Sequence, residues 1–465
     1  MTIVIAYWIL IALYQFYEVS AVTSAAFFLF LVALPVGLAG GLFALSFRFL
    51  FRENRFFFFL ILPSLWVLLL EFLRELLPLL LPWGLAGYAL SDWPAFIQMA
   101  DITGVYGLSF LITAVNSLIY YQIRQYRWGD FTEIIKTRRF PIRLMGGFFR
   151  RQALPLSLIL LLIAGPLIYG TIALGQWERS LGKPGGPKDF QAQVVQGSFG
   201  QKERWESGNF FLILETYLGL TGKGVHKQGE RIVVWPETVL NTPGRIDGNL
   251  FKRIVHELGK ESLLITGGVR QDPRNRIFNS ALFISGEGFL QWYDKNILLP
   301  AAETNPLKWD ILGKYYEAPS EYVTGTTPSL VDTNRGRIGV SICFEVIYPW
   351  FVRQAAARGA EILVNISNDT WFGDSTMPRQ HLNIARLRAV ENRRYLIRAS
   401  NSGLSAIISP AGEILKRSTL FARSTIESPC RRITEKSIYT ILGDWILYLS
   451  LLLVTGHTAF LLWKT

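Results

Sequence analysis

Two kinds of hydrophobic pattern divide the chain. Uncharged runs long enough to cross a bilayer, about 20 residues each, fall near 3–19, 24–47, 56–81, 94–121, 154–176 and 438–463, which predicts six membrane spans. From about residue 190 the runs shorten. β-Branched stretches ("AQVVQGS", "RIVVWPE", "SLLITGG", "RIGVSICFE", "EILVNISND") alternate with helix-period stretches over 209–220, 250–260, 350–358 and 379–395, and a hairpin is expected at Gly286-Glu287-Gly288. Strands alternating with helices predict one α/β layered domain, and about 240 residues suffice for a single packed core. The expected organisation is a membrane region over residues 1–180 with about five spans, a folded domain over 185–432, and a last span over 436–465.

Composition agrees with that division. The chain is 50% hydrophobic and only 18% charged, with a mean hydropathy of +0.28, too apolar for an ordinary water-soluble protein. Its net charge of +12 does not point to nucleic acid, because no aromatic residues interleave the basic ones in a binding pattern. The excess is instead local. Eight Lys/Arg lie between Arg124 and Arg151 against Asp130 and Glu133, and Arg48, Arg52 and Arg55 follow the second run. Both are expected in cytoplasmic loops. Counting spans from there puts the α/β domain on the outer face and Lys464 inside.

Within the third run, "EFLRE" places Glu71, Arg74 and Glu75 on one helical face. Charges at membrane depth are costly and point to function, whereas at an interface they would simply meet water. Both readings are open. The two cysteines, 343 and 430, form no disulfide framework, and the histidines at 226, 256, 381 and 457 share no metal-ligand spacing. No metal or cofactor is implied.

Several polar residues fall where predicted strands run out: Glu237 after "VVWP", Cys343 after "IGVSI", and Asn368-Asp369 after "LVNIS". Ligand sites in α/β sheets gather at such ends. A thiol nucleophile needs a base, a nearby cation and donors for the oxyanion it creates. Glu237 and Lys295, in "YDKNILLP", are candidates for the first two. Taken singly, each has a plainer reading: a buried strand cysteine, a loop glutamate and a solvated lysine.

The combination "WPET", "YDKNILLPAAE" and "SICFE", in that order, resembles the Glu, Lys and Cys motifs of the nitrilase (carbon–nitrogen hydrolase) superfamily. The block from Asn365 to Glu413, with "LWVLLLEFLRE" and "PWGLAGYALSD" in the membrane region, resembles the membrane-embedded branch that acylates bacterial lipoproteins. The resemblance implies a nitrilase-like α-β-β-α sandwich inserted between the transmembrane helices of an all-α membrane domain. It makes Glu237 the general base, Lys295 the transition-state stabiliser and Cys343 the nucleophile. Glu303 and Glu345 become further active-site residues, with Trp371 and Phe372 at the substrate entrance. It implies a phospholipid acyl donor, phosphatidylethanolamine, and a diacylglyceryl-modified apolipoprotein acceptor. A monomer in the bacterial cytoplasmic (inner) membrane, with its catalytic domain on the periplasmic face, completes the expectation.

The chain departs from the family pattern in three places. Pro300-Ala301-Ala302-Glu303 stands where Pro-Phe-Gly-Glu is usual, Phe344 replaces a tyrosine, and six spans replace eight. Two other readings remain: a membrane-anchored amidohydrolase, in which water takes the acyl group, and a non-catalytic binding domain.

Overall fold

The computed structural model of the protein describes residues 5–16, 18–52, 54–76, 82–125, 142–181, 189–223, 229–241, 248–288, 290–300, 302–304 and 322–464. Four of its helices are long and apolar enough to cross a membrane, by length and composition: Phe57–Leu76, Ala100–Arg124, Ala153–Leu181 and Trp445–Trp463. The expected run at 24–47 lies within consecutive helical segments from Ala21 to Leu50. Within the run at 3–19, described over residues 5–16 and 18–19, a helix over Trp8–Ile11 continues to Phe16, and Trp8 packs against Trp83 and Phe372, with ring centroids 5.0 Å from each. Most of the basic loop used for orientation, 126–141, lies outside the described residues.

The α/β domain contains twelve strands among the described residues: β1 Asp189–Gln196, β2 Arg231–Val234, β3 Ser262–Gln271, β4 Ile277–Ser285, β5 Leu290–Asp294, β6 Leu330–Thr333, β7 Gly336–Ile342, β8 Ile362–Ser367, β9 Leu396–Ser400, β10 Ala406–Ile408, β11 Ile414–Arg417 and β12 Ser424–Arg431. They form two six-stranded sheets, ordered β12-β1-β2-β3-β4-β5 and β11-β10-β9-β8-β7-β6. The parallel trios β1-β2-β3 and β7-β8-β9 sit inside, flanked by antiparallel neighbours.

The two-residue period of the strands sorts the layers. Ile232, Val234, Leu263 and Ile265 join Val340, Ile362, Val364 and Ile397 in one core between the sheets. Val233 and Leu264 face the other way and pack under the helices Phe210–Gly222 and Gly248–Leu258, through Ile213, Leu214, Tyr217 and Ile254. Helices Pro349–Ala357 and Met377–Asn392 cover the second sheet. The result is the α-β-β-α sandwich.

The sandwich is fastened to the membrane helices by buried polar groups. Arg393 forms an ion pair with Asp101 at 2.6 Å and donates to Gln98 Oε1 at 2.7 Å, while Gln98 Nε2 donates to Ala411 O at 2.9 Å. Glu391 accepts from Val105 N–H at 2.9 Å. Glu71 is buried and accepts from Trp66 Nε1 at 3.0 Å and Ala86 N–H at 2.8 Å, and Tyr106 donates to Glu75. Glu71 therefore does not meet water, and the interface reading fails for it.

Candidate active site

Each candidate side chain hangs from the end of a strand. After β2 the chain turns through Pro236, Glu237 and Thr238, the last at φ +51°, and Gly267 on β3 passes directly beneath. A Cβ at Gly267 would collide with the Glu237 Cα and the Thr238 backbone nitrogen, so only glycine allows this approach. Arg204, itself buried, donates at 2.8 Å to both the Glu237 and Thr238 carbonyls. The turn that carries Glu237 is held from two sides.

Lys295 follows β5, and its N–H is tied to Asn279 O at 2.8 Å. Its ammonium lies 3.3 Å from Glu237 Oε1 and 2.9 Å from Glu303 Oε1. Asn279, in the middle of β4, donates from one amide nitrogen to both carboxylates, at 2.7 and 2.8 Å. Glu303 Oε2 accepts from Leu299 N–H at 2.8 Å. All four side chains are buried. Burial works against the charge on Lys295, but Glu237 and Glu303 more than offset it and hold the ammonium well above the ordinary lysine value.

Cys343 begins the short helix Cys343–Ile347 directly after β7, at φ +51°. A non-glycine residue in the left-handed region stores on the order of 1–3 kcal/mol of backbone strain and marks functional turns. Cys343 is only 7% exposed. Burial pushes its pKa well above the ordinary thiol value, Glu237 adds to the rise, and Lys295 opposes it. Glu237, Lys295 and Cys343 are thus close enough to act on one another, and Cys343 rests protonated beside a carboxylate.

Glu345 is placed differently from the other acids. It is buried, and its oxygens accept from Tyr293 OH at 2.7 Å, Asn296 N–H at 2.6 Å, Ile297 N–H at 3.0 Å and Ile342 N–H at 2.7 Å. It thereby ties the loop following Lys295 to the turn before Cys343. Phe372 is buried beneath Trp8, and Trp371 is half-buried beside it.

Sequence reasoning missed Asn279 and Arg204, and a network beneath Cys343. His381 Nε2 lies 3.3 Å from Cys343 O and Nδ1 lies 3.1 Å from Asp369 Oδ1, while Arg398 Nη2 reaches Asp369 Oδ2 at 2.7 Å. Trp83, from the membrane region, packs on both Phe344 and His381 with centroids 5.5 Å from each.

Known proteins resemble both the membrane region and the sandwich. Residues 192–434 match the carbon-nitrogen hydrolase family, and residues 1–118 match the apolipoprotein N-acyltransferase N-terminal domain. An apolipoprotein N-acyltransferase of Geobacter metallireducens is 32% identical over 392 residues, covering 82% of this chain and 70% of that one. The chain belongs to the apolipoprotein N-acyltransferase family. Another member, from Rickettsia prowazekii, is 29% identical over 91% of this chain and 80% of its own length. Among solved structures, the nitrilase-superfamily protein Nit3 of Saccharomyces cerevisiae aligns with 55% of this chain and 93% of its own, at 18% identity and a TM-score of 0.40.

Proposed function

We propose that this membrane protein transfers an acyl chain from a phospholipid, with phosphatidylethanolamine as donor, to the α-amino group of the lipid-modified N-terminal cysteine of apolipoproteins. The observation that carries the reading is the strained, buried Cys343 beside the Glu237–Lys295–Glu303 charge cluster. A membrane-embedded frame supports it further, because both substrates carry acyl chains whose extraction costs about 0.8 kcal/mol per CH₂.

In the first half-reaction Cys343 Sγ attacks the ester carbonyl and its proton passes to Glu237. A C–S bond forms and the carbonyl π pair moves onto oxygen, where the Lys295 ammonium and backbone N–H groups stabilise it. Collapse breaks the ester C–O bond. The lysophospholipid leaves with the proton from Glu237. In the second half the lipoprotein amine attacks the thioester, Glu237 takes a proton from nitrogen, and the C–S bond breaks as the amide forms. That proton restores the thiol. One nucleophile shared by two substrates gives ping-pong kinetics.

Glu303 keeps Lys295 in place, and Glu345 holds the loop behind it. Trp371 and Phe372 line the approach beneath the amino-terminal segment. The domain limits we assign are a membrane region over residues 1–180, a catalytic domain over 185–432 and a last span over 436–465. The protein inserts in the bacterial cytoplasmic membrane as a monomer, and the charge bias of the loops supports an orientation with the catalytic domain on the periplasmic face.

Intact mass of the purified chain after incubation with phosphatidylethanolamine tests the reading. Wild type is expected to carry a hydroxylamine-labile acyl adduct that Cys343→Ala lacks, discharged by adding a diacylated lipopeptide. Lipid hydrolysis without an adduct would favour the amidohydrolase instead. Full transfer by Cys343→Ala would end the thioester reading.

A further inference from the structure

The carbonyl of Cys343 is gripped from beneath. His381 Nε2 lies 3.3 Å from it and Asn365 Nδ2 lies 3.4 Å from it. A carbonyl oxygen only accepts, so the Nε2 of His381 carries the proton. His381 Nδ1 lies between a donor, Arg398 Nη2 at 3.0 Å, and an acceptor, Asp369 Oδ1 at 3.1 Å, so it is the Cys343 carbonyl that fixes the proton on Nε2. Arg398 is held in turn by Asp369, and it donates from Nη1 to Asn365 Oδ1. His381, Asn365, Asp369 and Arg398 are all essentially inaccessible to solvent.

The peptide between Cys343 and Phe344 is planar and trans, so its C=O and N–H point in opposite directions. Fixing the carbonyl toward His381 and Asn365 therefore fixes Phe344 N–H toward the other side. That N–H lies in the first turn of the helix Cys343–Ile347, where backbone donors have no intrahelical acceptor.

We infer that His381 is a positioning residue, whose Nε2–H, together with Asn365, clamps the Cys343 carbonyl and so aims Phe344 N–H at the oxyanion formed when Cys343 attacks. The inference rests on the reading of Cys343 as nucleophile. His381 touches no reacting atom. Its effect is confined to the transition state, because the carbonyl of the bound substrate carries little charge for the N–H to serve.

The test uses full-length protein in phospholipid micelles, with kcat, KM, the rate of Cys343 acylation and the thermal transition measured for wild type, His381→Phe and His381→Gln. Phenylalanine keeps the ring and loses the donor; glutamine keeps an N–H donor. Losing one well-placed oxyanion donor costs roughly 100- to 1,000-fold in kcat, and a misaimed one is expected to cost about 30-fold or more. The expected result is that loss in His381→Phe, with KM within about twofold of wild type, acylation slowed in proportion, and about tenfold recovered in His381→Gln.

A His381→Phe protein that acylates Cys343 at the wild-type rate would overturn the inference. So would equal losses in the two variants at unchanged thermal transitions. If His381→Phe does not fold, Asn365→Ser, which removes the other donor to the same carbonyl, is measured in its place, and wild-type kcat there overturns the clamp. Absence of the acyl adduct in wild type would instead strike the Cys343 reading itself, which keeps the two failures apart.

Discussion

Lys295 Nζ stands closer to Glu303, at 2.9 Å, than to Glu237, at 3.3 Å. The acid read as proton acceptor thus makes the longer contact of the pair with the cation, and Glu303 the shorter. Glu303→Gln keeps the shape and the Leu299 contact but removes that charge. It is expected to lower kcat about 100-fold, measured by lipopeptide acylation, because a displaced ammonium no longer meets the oxyanion. Glu237→Gln should cost more, about 1,000-fold or beyond, since it removes the proton acceptor outright.

Asn279 joins the two carboxylates through one nitrogen. Asn279→Leu leaves both with a lost donor in a buried site, and unsatisfied buried charges drive rearrangement. The expected outcome is a 10- to 100-fold fall in kcat, roughly the loss of one charge-assisted hydrogen bond of about 1.5–3 kcal/mol, together with a lower melting temperature. Wild-type turnover would show that the bridge does not set the spacing of the acids.

Glu345 gives the protein a pH dependence of definite sign. Burial pushes its pKa up to about 7 from the ordinary 4.5, against the pull of its hydrogen-bond donors. The folded state therefore binds this proton more tightly than the unfolded chain does. Its contribution to stability is greatest below pH 4.5, declines as pH rises, and is flat above about 7. Glu345→Gln cannot titrate. The difference in melting temperature, wild type minus variant, is expected to fall between pH 5 and pH 8, and a constant difference would show that the carboxyl is not raised.

Asp101 neutralises Arg393, which is only 5% exposed. Asp101→Ala leaves that guanidinium buried with neutral partners only, a change that costs about 3 kcal/mol at such sites. Thermal unfolding in detergent should show the loss. Catalytic constants at low temperature should change little, because the pair lies at the junction with the membrane helices and not among the acids of the site.

Much of this site can be read from the chain. Glu237, Lys295 and Cys343 end runs of alternating or β-branched residues, and strand ends are visible without coordinates. Asn279 is not, because a polar residue inside "IFNSALFIS" looks like any solvent-facing strand position until β4 is paired between β3 and β5. The His381 clamp was hidden for a related reason. Its members come from a loop, a helix and two strands, and only the sandwich brings them under Cys343. Strands β6, β11 and β12 escaped prediction because they are short, polar or interrupted by Pro429, which is tolerated only at an edge.

The pairing of β1 with β12 sets Asp189 opposite Arg431, joined by an ion pair at 2.7 Å although they are 242 positions apart. To the membrane helices, then, the entire folded domain is a loop with its two ends already tied. Closing a flexible loop of that length costs about 3 kcal/mol more than closing one of about ten residues, since each doubling adds about 0.6 kcal/mol. Once the sandwich has folded, that entropy is already spent. The last membrane helix then returns to its neighbours as though it followed a hairpin.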